Sequence, residues 1–138
     1  MIKIGIDPGV KTGIAEIMDT DLFSPKLSLY TTDFWGCYEF IRKNYAPSCT
    51  EIHIEDTNDL PVFRESSNNR IQSRMGRNVG AVCREASLLI EGFQRLGYKV
   101  VVHNNKKSAK LDAKQFKVLT GWQGRTNQHE RDAAALIL

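Results

Sequence analysis

Cysteine is scarce in this chain: three in 138 residues, at Cys37, Cys49 and Cys83, an odd number, widely spaced and without a paired-cysteine motif. That excludes a disulfide framework and a structural zinc site, and leaves the three as small packing residues. Long hydrophobic runs are missing too. The longest, Val100-Val101-Val102 and Ala133 to Leu138, fall far short of the ~20 residues a membrane span needs. Met1-Ile2-Lys3-Ile4 begins a strand pattern instead of a signal peptide, so no membrane association is expected and the expected location is cytoplasmic. Proline is limited to four, few enough that each marks a boundary. There is no internal repeat and no low-complexity tract, and the length suits a single domain over residues 1–138 with a core of its own.

What is present is charge, unevenly placed. The net charge of +3 is mild, but Lys106, Lys107, Lys110, Lys114, Lys117 and Arg125 face only Asp112 along one stretch. Arg64, Arg70, Arg74 and Arg77 face only Glu65 along another. Acids gather instead at Glu16 to Asp21 and Glu51 to Asp59. Bases in two places and acids in two others suggest a polyanion held against a cation-binding centre; solvated loops and helix faces are the alternative.

Local patterns outline the elements. Ile2, Ile4 and Ile6 repeat at period two, as in a strand with one face on a core. Pro8-Gly9 reads as the centre of a type II turn with Gly9 at positive φ, and Gly13 to Ile17 as the returning strand. Lys26 to Thr32 is a third strand. Asp33 caps a helix running to Tyr45, with Phe34, Cys37, Tyr38 and Ile41 on one stripe, and Pro47 follows its end. Glu51 to Glu55 alternates again. The polar stretch Asn58 to Arg74 reads as a long loop or a helix entrance. Val79, Val82, Ala86, Leu89, Ile90 and Phe93 form a helical stripe ending near Gly97, and Tyr98 to His103 is a fifth strand. Capping boxes at Asp112/Gln115 and Asn127/Glu130 open two last helices, the second continuing through Ala133 to Leu138. The order implies an α/β domain with a five-stranded mixed sheet, its first three strands antiparallel and the rest joined by parallel crossovers, flanked by helices.

Sites in such sheets gather at the carboxyl ends of parallel strands, where Asp7 and Glu55 fall. Hard divalent cations need oxygen ligands converging from several elements. His129 and Asp132 lie three residues apart, on one face of the last helix, and an acid among Ala133, Ala134, Ala135 and Leu136 is costly to bury unpaired. Together these four form a candidate metal-binding set; taken singly, Asp7 could merely open a turn and His129 merely sit at a helix end. Glu130 is explained by its capping box. Asp56, on the opposite side of its strand, is a lesser candidate. His53 and His103 read as polar positions on short strands.

The chain resembles the RuvC-type Holliday junction resolvases of the ribonuclease H-like superfamily. The matching residues are Ile4-Gly5-Ile6-Asp7-Pro8-Gly9 with Thr12-Gly13, Ile54-Glu55, and His129-Glu130-Arg131-Asp132-Ala133, joined by a Gly- and Ala-containing helix over Gly76 to Ala86 and a basic segment over Lys106 to Lys117. The resemblance implies a ribonuclease H-like fold and a DNA endonuclease acting on branched junctions. It implies two Mg²⁺ ions, with Mn²⁺ as a substitute, held by Asp7, Glu55, His129 and Asp132, and no nucleotide cofactor. It implies a homodimer, for which the Val79–Phe93 stripe is one surface and a buried core helix the competing reading. Phosphate contacts are expected from Lys106, Lys107, Lys110, Lys114 and Arg125, with Arg70, Arg74 and Arg77 of the other basic stretch. Where the family carries a base-stacking aromatic shortly after its second acid, this chain has Asp56-Thr57-Asn58; Phe63 and Trp122 are the substitutes. Rival readings are a ribonuclease on the same scaffold acting on RNA or an RNA–DNA hybrid, an actin-like nucleotide-binding module, and a DNA-binding domain without catalysis.

Overall fold

A computed structural model describes residues 1–18, 26–56, 69–104 and 110–138; of residues 69–73, 75, 78 and 79 it describes the backbone only. Five strands form one sheet: β1 Ile2–Asp7, β2 Thr12–Met18, β3 Lys26–Thr32, β4 Thr50–Glu55 and β5 Lys99–His103. Their order is β3-β2-β1-β4-β5. β1, β2 and β3 pair antiparallel, whereas β1–β4 and β4–β5 pair parallel. This is the expected mixed sheet. The helices are α1 Phe34–Asn44, α2 Asn69–Arg95, α3 Ala113–Thr120 and α4 Gln128–Ala135.

Helix ends follow local chemistry. Asp33 accepts from the Gly36 N–H at 2.7 Å to start α1, and both reciprocal capping boxes form, at Asp112/Gln115 for α3 and Asn127/Glu130 for α4. α2 ends as its glycine requires: Gly97 takes φ 87°, and the Tyr98 and Gly97 N–H groups bond to the Phe93 and Gln94 carbonyls, a Schellman pair. α2 begins earlier than its apolar stripe, at Asn69, so Arg70, Arg74 and Arg77 are helical; the polar first turns carry no apolar periodicity to reveal this. The last helix stops at Ala135 instead of running on to Leu138.

Two local expectations fail. Gly9 is not at positive φ, so no type II turn centres on Pro8-Gly9; the connection is closed instead by the Thr12 hydroxyl donating to the Gly9 carbonyl at 3.3 Å. β1 keeps an open face only at its start, where Lys3 is exposed; toward the turn Gly5 and Asp7, opposite Ile4 and Ile6, are buried too. Both faces of the sheet centre are covered. On one, Ile4, Ile6, Ile14, Ile52 and Ile54 pack with Cys37 and Ile41 of α1 and Leu89 and Phe93 of α2. On the other, Ala15, Phe116, Ala133, Ala134, Leu136 and Ile137 pack together. Ala86, Leu89 and Phe93 are therefore core residues, which removes these three from any dimer surface. Cys37 is buried, and burial pushes its thiol up to about 12. Among the described residues no helix is long and apolar enough to cross a membrane.

Candidate metal and nucleic-acid site

Register brings the first two acids together. Ile6 pairs with Ile54 across β1 and β4, so the next residue on each strand, Asp7 and Glu55, lies side by side at the carboxyl ends. Burial first, then the neighbouring Asp7 carboxyl and the Asp132 charge, push Glu55 up to about 7. Asp7 is also raised by burial, against hydrogen bonds from His129 and Glu55 that pull it down.

α4 supplies the third group. His129 Nδ1 lies 2.9 Å from Asp7 Oδ2; a carboxylate can only accept, so Nδ1 carries the proton and Nε2 is the lone-pair nitrogen of the neutral ring. The approach is possible because α4 rests on glycine. A Cβ at Gly13 would stand 2.1 Å from the His129 carbonyl oxygen, and one at Gly5 2.0 Å from that of Ala133, far inside contact distance. The helix start is pinned to β3 as well: Thr31 Oγ1 donates to Glu130 Oε1 at 2.9 Å and accepts from Asn127 Nδ2 at 2.7 Å.

Asp132, one turn on, is held differently. Gln128 Nε2 donates to its Oδ1 at 2.6 Å and Lys110 Nζ lies 3.3 Å from its Oδ2, while its charge is felt by both Asp7 and Glu55. Arg131 braces this region by donating to the Leu111 and Thr126 carbonyls and to Gln128 Oε1. Among the described residues no three His, Cys, Asp or Glu side chains stand ready to hold a metal ion. Asp7 is bonded instead to His129, and Asp132 to Gln128 and Lys110. The donor set itself, three carboxylates and one imidazole, suits Mg²⁺ or Mn²⁺ better than soft metals. Burial first, and then neighbouring negative charge, raises both Asp7 and Glu55, as in a carboxylate pair that a cation would relieve.

The expected phosphate contacts divide. Lys110, Lys114 and Arg125 are exposed around α3, and Arg74 and Arg77 on α2; the Arg70 side chain, Lys106, Lys107 and Phe63 lie outside what is described. Trp122 packs against the second core cluster with its indole Nε1 buried and unbonded, which gives it a packing role. It lines a groove of about 480 Å³ with Lys114, Lys117 and Arg125.

Sequence reasoning passed over a polar row on β4 and β5. Glu51 Oε1 lies 2.8 Å from His53 Nε2, and His53 Nδ1 lies 2.8 Å from His103 Nε2; Glu51 also pairs with Lys99. Since Glu51 accepts, His53 Nε2 is protonated, and with a neutral ring its Nδ1 accepts from His103. Burial, then His53, holds His103 below the ordinary histidine range. The sequence signal was Glu51 and His53 sharing the face of Glu55.

The architecture matches a solved structure of RuvC from Thermus thermophilus, with a TM-score of 0.52 and 16% identity, covering 99% of this chain and 90% of that one. The chain has the RuvC-type resolvase fold. A fowlpox virus resolvase, solved with its substrate Holliday junction DNA, aligns with a TM-score of 0.43 and 14% identity over 86% of this chain and 70% of that one. No family model matches the sequence, and no curated protein matches it. At these identities the likeness to RuvC is one of fold, and what the site does rests on its own residues.

Proposed function

We propose that this chain is a metal-dependent, structure-selective endonuclease that hydrolyses phosphodiester bonds in four-way or related branched DNA. The observation that carries the reading is the parallel register that sets Asp7 and Glu55 side by side at the ends of neighbouring strands, with His129 bonded to Asp7. Asp7, Glu55, Asp132 and His129 would hold two Mg²⁺ ions, with Mn²⁺ as a substitute. Bound there, the ions supply Lewis-acid activation of a water and charge stabilisation at the leaving 3′ oxygen. Asp7 fixes the His129 ring through Nδ1, so Nε2 is the nitrogen free to act as a ligand. Glu55 must lose its proton before it can serve, which ties activity to pH. Lys110, Lys114, Lys117 and Arg125, on and beside α3, bind backbone phosphates and set the strand against the acids. A homodimer would carry two such sites to the two strands of a junction.

The test is cleavage of labelled four-way junction, flap, duplex and RNA–DNA hybrid in Mg²⁺ or Mn²⁺ by the wild type and Asp132→Asn. Paired symmetric nicks on the junction from the wild type alone are expected. Cleavage of hybrid alone would make the chain a ribonuclease; junction binding without cleavage would make it a non-catalytic module.

A further inference from the structure

The lysine next to the acids has two possible partners that it cannot serve together. Lys110 Nζ lies 3.3 Å from Asp132 Oδ2, and its charge reaches Glu55 as well. Among the described residues it is the one cation paired with this carboxylate group, His129 aside. The Lys110 side chain is 73% exposed while Asp132 is 17% exposed, so the ammonium leans in from solvent over a mostly covered acid. Lys110 directly precedes Leu111, whose carbonyl is gripped by Arg131 at 2.9 Å. The backbone below the lysine is thus fixed to α4, while the long side chain above it is free to turn.

Resting on the metal-nuclease reading above, we propose that Lys110 is a gating residue: in the DNA-free protein its ammonium occupies Asp132 in place of a metal ion, and a DNA phosphate draws it away. Asp132 is then released to join Asp7 and Glu55, so metal and DNA bind with positive cooperativity. The exchange requires no backbone movement. A flexible ammonium swaps one oxyanion for another, and an ion pair whose lysine end stands in solvent is weak enough to be exchanged. By linkage, whatever DNA does for metal affinity, metal does for DNA affinity.

A plain phosphate-binding lysine predicts that its removal weakens DNA binding and leaves metal affinity alone. A gate predicts opposite signs. Mn²⁺ is titrated into DNA-free wild type, Lys110→Ala and Lys110→Arg by calorimetry, and DNA binding is followed against salt in Ca²⁺. Lys110→Ala should bind Mn²⁺ about two- to five-fold more tightly, the range an exposed ion pair allows, while its log-log salt slope for DNA falls by about one. Lys110→Arg should resemble wild type in both. Equal Mn²⁺ affinity in wild type and Lys110→Ala overturns the gate and leaves the nuclease reading standing. Absence of Mn²⁺ binding in every variant overturns both.

Discussion

On one face of the sheet the contact is made by side chains, Phe93 and Leu89 of α2 and Ile41 of α1 against Ile4, Ile6, Ile52 and Ile54. On the other, beside the side-chain cluster of Ala15, Phe116, Leu136 and Ile137, backbone also meets the sheet, with the carbonyls of His129 and Ala133 set where Gly13 and Gly5 leave no Cβ. A side-chain layer fills space and tolerates some repacking. A backbone contact fixes a distance and tolerates none. His129 and Asp132 are carried on the helix that makes the second kind of contact, and Asp7 lies beneath it. The α4 face thus adds to its own apolar cluster a backbone contact that aims the site, a need the other face does not have.

The largest expected effect is on the first face. Phe93→Ala should cost about 3–5 kcal/mol, a large part of the ~5–15 kcal/mol typical of a domain, read by urea denaturation. The protein that remains folded should bind Mn²⁺ as the wild type does. Gly13→Ala is the matched change on the second face. Its Cβ would lie 2.1 Å from the His129 oxygen, so α4 must move by roughly 1 Å, at a cost of about 1–3 kcal/mol. That is less than for Phe93→Ala, yet junction cleavage should fall about 100-fold, as misplacement on that scale does. If Gly13→Ala loses activity only in proportion to its folded fraction, the division of labour between the faces is wrong.

Legibility in the sequence divided along the same line. The strands, the caps at Asp33, Asp112 and Asn127 and the Gly97 stop were readable because each depends on residues a few positions apart. Asp7 and Glu55 were readable as strand-end acids, but their adjacency depends on β1 and β4 being neighbours, which only the sheet order decides. Gly5 and Gly13 could be read only as motif or strand glycines, because their purpose depends on a helix more than a hundred residues later. Gly9 misled for the same reason in reverse: Pro-Gly is a strong local turn signal, and the Thr12 bond to Gly9 overrode it. The ties of Asp132 to Gln128 and Lys110, and the His53–His103 bond, are tertiary facts with no periodic trace.

Glu55 offers a pH handle on the second face. Its ordinary value is 4.5 and its folded value about 7, so between these the metal-free folded state holds a proton the unfolded state has lost. Stability from this group is therefore present below about 4.5 and is lost as pH rises through about 7. Glu55→Gln should remove that loss and stabilise the metal-free protein at pH 8 by about 1–2 kcal/mol after allowance for solvent screening, measured as Tm against pH. Activity runs the other way. Ligation needs the carboxylate, so cleavage at limiting Mg²⁺ should fall as pH drops through about 7, and excess Mg²⁺ should move that fall to lower pH.

The smallest effect separates the two devices that hold α4. Thr31 bonds both Glu130 and Asn127, pinning the start of the helix to β3, but these bonds are exposed and a net contribution of about 0.5–1.5 kcal/mol is the most each should make. Thr31→Val keeps the shape and removes the hydroxyl. Since the Gly13 contact still sets how closely His129 approaches Asp7, the melting temperature should drop slightly and junction cleavage by less than about three-fold, well within the ~1.4 kcal/mol that a tenfold change represents. Should cleavage instead collapse while Tm barely moves, the polar clamp at the edge strand, and not the glycine contact beneath the helix, would be what aims His129 and Asp132.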